Sequence, residues 1–292
     1  VSDNNACHGF HATWNASLLA DAAEARHNQN YGFLAEYNSM LMAKTSKALD
    51  NVGSGYVALY NAVLYVSDAE SSTNGGIGFM SSLGGTVDVP GGSSNHNGSI
   101  GYYAQLGSVL RTHPTALREP SATDNAGDGL AADTNSVLWA DAVNTSDNHG
   151  QGVLALRNAL IYANHGAAKR NTGNGYYAFG NAYVEASSTV AEDNAQAGYL
   201  ATFGSTLAAD NSSAIDNGGS GLAATVGSVV SGANTVSSGN NEGFTAWILS
   251  VVSAAGSRAE DNAATGYAAS LNSTMYVYTA QALRNAQHGF IA

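Results

Sequence analysis

Asn28-Gln29-Asn30-Tyr31-Gly32-Phe33-Leu34-Ala35 is followed 23 residues later by Asn51-Val52-Gly53-Ser54-Gly55-Tyr56-Val57-Ala58, and the two octets share one pattern. An asparagine stands four residues before a glycine. An aromatic residue follows the glycine, and an alanine comes two residues after that. The glycine recurs at Gly9, Gly32, Gly55, Gly78, Gly101, Gly129, Gly152, Gly175, Gly198, Gly221, Gly243, Gly266 and Gly289. The spacing is 23 except for 28 between Gly101 and Gly129 and 22 between Gly221 and Gly243. Thirteen copies of one short unit make up the 292 residues, and such a period is the signature of a solenoid.

The asparagine file runs from Asn5 through Asn51, Asn97, Asn148 and Asn194 to Asn285, with Asn240 displaced by the one-residue deletion. Stacked units bring these amides into register, so each can donate to the next and satisfy a buried polar group. Asparagine also accepts the left-handed backbone of a sharp turn. After the glycine, a large residue such as Phe33, Tyr56 or Tyr199 alternates with a small one such as Ala35, Ala58 or Ala201. That is strand periodicity with both positions facing inward. Six residues after the glycine comes a second turn, as at Asn38, Asn61, Gly84 and Gly204, and then an inward aliphatic such as Leu41, Leu64 or Ile161. A third inward track of small residues includes Ala25, Ala48, Ala168 and Ala259. Three strands and three turns in 23 residues leave no room for a helix. The expected fold is an all-β, single-domain parallel β-helix over 1–292, with about thirteen coils and an asparagine ladder. Coils stacked at about 4.8 Å would give a rod on the order of 60 Å long.

The asparagine and aromatic files resemble the right-handed parallel β-helix superfamily, the pectate-lyase-like fold, over the full chain. The resemblance implies a fold and no single activity, because this scaffold hosts lyases, hydrolases, epimerases, adhesins and phage tailspikes.

Charged residues make up 11%, with Lys and Arg numbering 10 against 22 Asp and Glu, a formal charge of −12. That balance argues against nucleic acid and against an anionic membrane surface, and makes a polyanionic ligand less natural. Cys7, the single cysteine, excludes an internal disulfide framework. No segment is apolar enough to span a bilayer, and the first residues show no signal-peptide pattern. The chain begins and ends in mid-coil, which suggests a fragment, a processed chain or ends that dock on other copies or domains. No cofactor is implied. Five Asn-x-Ser/Thr sequons read as chance in a chain rich in both residues.

Three constellations are candidates for chemistry. Acidic residues precede the asparagine file at Asp50, Asp124, Asp147, Asp193, Asp216 and Asp261. Asp124 and Asp147 on successive coils, with Asp128 and His149 near, could serve as a carboxylate pair for glycan cleavage. The recurrence of Asp-Asn around this turn favours Asx-turn chemistry instead. Asp147-Asn148-His149-Gly150 is similar to the histidine loop of polygalacturonases, but the other motifs of that family do not occur. The second candidate is the five-residue expansion in the fifth coil, where Arg111, His113, Arg118 and Glu119 are candidate ligand contacts. The third is Cys7-His8-Gly9-Phe10-His11. Strand alternation would point its histidines apart, and no fourth ligand follows at fixed spacing, so no metal is expected.

Outward positions form two apolar stripes. One runs through Met40, Val63, Val109, Val137 and Leu160, the other through Leu34, Val57, Met80, Tyr103, Tyr177 and Leu200, near Trp247. Such stripes suggest lateral association or an aromatic sugar-binding face. Tyr103, Tyr177 and Trp247 are the candidate sugar platforms. The leading expectation is an extracellular, cell-surface or virion rod that binds surface glycans, like a tail fibre, tailspike or adhesin shaft, as a trimer or lateral assembly. A polysaccharide lyase or glycoside hydrolase is the alternative, and a self-assembling filament subunit a third.

Overall fold

The computed structural model describes residues 1–292. It contains strands and turns and no helix. Each coil has three short strands, as in Phe33–Ala35, Met40–Met42 and Lys47–Leu49. We call the sheets built from these positions the aromatic, aliphatic and alanine sheets. Every strand pairs in parallel with the strand one coil on, without slippage: Phe33 faces Tyr56, Leu41 faces Leu64 and Ala48 faces Ser71. The chain is an all-β parallel β-solenoid of about thirteen coils. Its contacts divide it into two compact units, Val1–His149 and Gly150–Ala292, each organised in this way.

The three inward tracks read from the repeat form the core. Phe33, Tyr56, Leu41, Leu64, Ala25 and Ala48 are all fully buried in the first unit, as are Tyr199, Ile161, Leu207 and Ala191 in the second. Aromatic rings stack coil on coil through Phe10, Phe33, Tyr56, Phe79 and Tyr102, with centroids 4.7–5.0 Å apart. Tyrosine is tolerated in this stack because its hydroxyl finds a partner: Tyr56 Oη lies 2.9 Å from Ser46 Oγ, and Tyr102 Oη donates to the Gly92 carbonyl at 2.6 Å. Burial pushes both phenols far above the ordinary tyrosine range.

The ladder runs from coil to coil within each unit, except that the Asn240 amide turns to the Ala214 carbonyl and Ser237 Oγ and only its backbone N–H reaches Asn262. Asn51 Nδ2 donates to Asn74 Oδ1 at 2.8 Å and to the Ala25 carbonyl at 3.0 Å, and the Asn51 backbone N–H donates to the same Asn74 oxygen. Asn194 repeats this with Asn217 and Ala168. One expectation about these residues is corrected. The left-handed backbone belongs to the residue before each ladder asparagine, at His27, Asp50, Asp124 and Asp193, and not to the asparagine itself. The ladder residue must stay in the ordinary region for its amide to run along the stack. The second coil shows the full set of corners: Tyr37, Asn38, Thr45 and Asp50 all have φ between 51° and 58°. Glycine recurs for a steric reason. A Cβ on Gly32 would lie 2.8 Å from the Gly55 carbonyl oxygen and 2.9 Å from Ala48 Cβ.

The two breaks in period are absorbed differently. Asn97 still donates to Asn125 at 3.1 Å across 28 residues, so the extra residues bulge out between Val109–Thr112 and Ser121–Thr123. The deletion lengthens strands instead. Ser220–Thr225 and Glu242–Trp247 have six residues each, whereas their neighbours have three or four.

Candidate functional site

A groove of about 450 Å³ opens on the outer face of the aromatic sheet within Gly150–Ala292. Its floor is Ala223, Ala268 and Leu200, and its sides carry Glu242, Thr245, Thr225, Ser270 and the indole of Trp247, which is 49% exposed. Strand alternation places these groups. In Glu242–Trp247, Phe244 and Ala246 point into the core, while Thr245 and Trp247 point out. Register then sets Thr225, Trp247 and Ser270 in one row, and Ala223, Thr245 and Ala268 in the next. Small residues beside the indole leave the hollow.

The deletion helps to make this site. With one residue fewer between Asn240 and Gly243, the chain has no slack for a bend before the glycine. It runs extended from Glu242, which pairs with Ser220 in the sheet. Thr245 Oγ1 donates to Ser220 Oγ at 3.2 Å, and Ser220 Oγ donates to Glu242 Oε2 at 3.3 Å. The repeat analysis located this deletion and named Trp247, but Glu242 and its hydroxyl partners were not singled out.

The other expected residues fall elsewhere. Asp124 and Asp147 sit at left-handed corner positions, with φ of 53° and 59°. His96 Nε2 lies 3.7 Å from Asp124 Oδ2 one coil away, and Arg284 grips Asp261 through two 2.7 Å hydrogen bonds in the same column. This column therefore works as a corner with charge pairing along it. His149 is exposed, and its backbone N–H donates to the Asn125 carbonyl. On the strand leading into the fifth-coil loop, Arg111 lies 4.9 Å over the Trp139 ring. Arg118 donates to Ser93 Oγ at 2.9 Å, and Thr115 donates to Asp68 Oδ1 at 2.6 Å, so the loop is fastened to the coils beside it. His113 Nδ1 lies 3.1 Å from the Pro114 carbonyl oxygen, and Glu119 is exposed. Tyr177 is half-buried, and desolvation raises its phenol pKa. The stripe containing Leu34 and Val57 is not an exposed stripe at that end: the two are 2% and 0% exposed.

Two further clusters occupy the outer aromatic face of Val1–His149. Tyr103 Oη donates to Asp133 Oδ2 at 3.4 Å, and Asp133 is only 3% exposed. Asp128 lies in the same coil as Asp133, just before Gly129. In the first two coils, His11 Nε2 meets Glu36 Oε1 at 2.9 Å, and the His8 ring lies 5.0 Å from His11 and stacks on Tyr31 at 5.2 Å. His8 and His11 thus share one face, contrary to the expectation from alternation, because the chain bends at Gly9 before the strand Phe10–Ala12 begins. Burial, with the charge of His11, holds His8 below the ordinary histidine value, and Glu36 opposes that shift. No three His, Cys, Asp or Glu side chains are grouped to hold a metal ion.

Similar folds occur among known structures. The A-module of the Azotobacter vinelandii mannuronan C-5 epimerase AlgE4 aligns with a TM-score of 0.62 at 12% identity, over 94% of this chain and 91% of that one. A mutant of the periplasmic alginate epimerase AlgG gives 0.61 at 10% identity, over 91% and 76%. AlgG itself gives 0.53 at 13%, over 85% and 61%. No family model matches the chain, and no curated protein does. Taken with the repeat, the ladder and the sheet register, these likenesses place the fold as a parallel β-helix like that of these structures.

Proposed function

We propose that this protein is an extracellular or cell-surface solenoid that binds a polysaccharide on the outer face of its aromatic sheet. The observation that carries this reading is the Trp247 groove, an exposed indole beside an alanine floor, edged by hydroxyls and one carboxylate. An indole offers an apolar face to sugar C–H groups, and the hydroxyls offer donors and acceptors to sugar hydroxyls. The structural neighbours are named as epimerases of mannuronan and alginate, both polysaccharides, which supports a glycan as ligand. In finer detail, we read the chain as part of a tailspike, tail fibre or adhesin that associates through the Met40, Val63, Val109, Val137 and Leu160 stripe. The test is binding to a panel of immobilised polysaccharides. At least one should bind, and Trp247→Ala should weaken that binding by about tenfold or more while the thermal midpoint stays put. Silence across the panel, or binding indifferent to Trp247, would overturn the reading.

A catalytic reading rests on a different observation, the Tyr103–Asp133 hydrogen bond with Asp128 in the same coil. A phenol and two carboxylates could move protons to and from a bound sugar. The assay is release of unsaturated products or reducing ends, or a changed epimer ratio, from the glycan that binds. Loss of that change in Asp133→Asn would establish the enzyme, and no change by the unmodified protein would remove it.

A further inference from the structure

The outer aromatic face has an electrostatic character that separates it from what its fold neighbours are named for. Its outward side chains fall in three columns: the residue before each glycine, the second after it and the fourth after it. The groove in Gly150–Ala292 shows this directly, since Glu242, Thr245 and Trp247 occupy those three places in one coil. No lysine or arginine stands in any of the three columns in either unit, whereas Glu36, Asp128, Asp133 and Glu242 do. In the groove itself Glu242 is the only charged side chain.

Glu242 is also poised. One oxygen accepts from Ser220, which is itself held by Thr245, at 3.3 and 3.2 Å. Its other oxygen, Oε1, makes no hydrogen bond within the protein and is free to accept one. Trp247 on the same strand offers a ring face, which attracts cations through its quadrupole. A polyuronate brings a carboxylate on every sugar. Against this face each would meet like charge, desolvated and without a counterion, and like-charge contacts are a strong means of rejecting a ligand.

Resting on the glycan reading above, the geometry points to a ligand class: the groove takes a chain containing an amino sugar, with the ammonium on Glu242 and a sugar face on Trp247, and it rejects polyuronates. The experiment uses the whole chain and three oligosaccharides of equal length at about 0.15 M salt, where long-range attraction to the net negative charge is screened. They are a glucosamine oligomer, its N-acetylated neutral counterpart and an alginate oligomer. The glucosamine oligomer should bind about tenfold more tightly than the neutral one, the margin of a charge-assisted hydrogen bond, and the alginate oligomer should not bind. Glu242→Gln should erase the margin, Glu242→Asp should keep part of it, and Trp247→Ala should weaken binding of both oligomers. A margin that survives in Glu242→Gln, no margin at all, or alginate binding that depends on Trp247 would each overturn the ligand class while leaving the glycan reading standing. If all three oligosaccharides and the polysaccharide panel fail to bind, both fall together.

Discussion

A ladder asparagine is asked to satisfy more groups than any other side chain in its coil. Asn194 Nδ2 donates to Asn217 Oδ1 and to the Ala168 carbonyl, both at 2.9 Å, and its Oδ1 accepts from the backbone N–H and the side chain of Asn171. Asn194→Ala strands buried donors and acceptors on both neighbouring coils, so it should cost about 1–3 kcal/mol in a denaturant melt. Asn4, whose amide meets only Asp3 at the surface and whose φ is 56°, is the control, and Asn4→Gly, which keeps that left-handed backbone, should match the unmodified protein within error. Equal, negligible losses at both positions would remove the ladder from the stability argument. His8 offers a second single-residue test. Its folded pKa lies below the ordinary 6.5, so native His8 binds fewer protons than unfolded His8 around and just below that pH. The contribution to stability is present above pH 6.5 and falls as pH drops below it. A proton NMR titration should place the His8 midpoint below the ordinary 6.5, and Glu36→Gln, which removes the opposing charge, should lower it further. A midpoint above 6.5 would contradict the packing of His8 between Tyr31 and His11.

The six-residue strands make a sharper claim about how a repeat acquires a site. If the missing residue is what extends the chain through Glu242, restoring it should undo the groove. Inserting a glycine between Asn241 and Glu242 returns the Gly221–Gly243 interval to 23 and should let the bend re-form before the glycine. We expect the strand to shorten toward three or four residues, Glu242 to leave its pairing with Ser220, and glycan binding to fall to the level of Trp247→Ala. Folding should survive, because the other coils, the fifth apart, already accommodate 23. Retained binding with a re-formed bend, seen by crystallography of the insertion variant, would detach the site from the deletion. The fifth-coil insertion is one of the candidates the sequence offers, since loops that break a scaffold often carry function. Thr115 and Arg118 instead spend their hydrogen bonds on Asp68 and Ser93.

Across the whole molecule, what was legible follows from periodicity. Inward tracks repeat every coil, so thirteen copies of one spacing expose them. The same spacing showed the corner at Asn38 but hid those at Tyr37, Thr45 and Asp50, residues that do not announce a left-handed φ. It hid the groove too, which depends on the direction of the residue before the glycine and on hydroxyls that look like ordinary strand residues. Association is the property that single coils do not determine. Met40, Val63, Val109, Val137 and Leu160 each point outward and are half-buried, flanking the buried Leu41, Leu64, Leu110, Leu138 and Ile161. Recurrence over many coils, interrupted at Thr86, makes an apolar stripe, the surface the proposed association would use. A second copy carries the same stripe at the same coil spacing and can match it row for row. We therefore expect the unmodified chain to sediment as an oligomer, and Val137→Asp with Leu160→Asp to sediment as a monomer with an unchanged β-rich circular dichroism spectrum. Charging these positions places like charges opposite one another across the contact, a penalty that multiplies with each repeated row. An unmodified chain that sediments as a monomer at micromolar concentration would end the association reading and leave the stripe without a partner. A double variant that stays oligomeric would move the contact to another face of the coils.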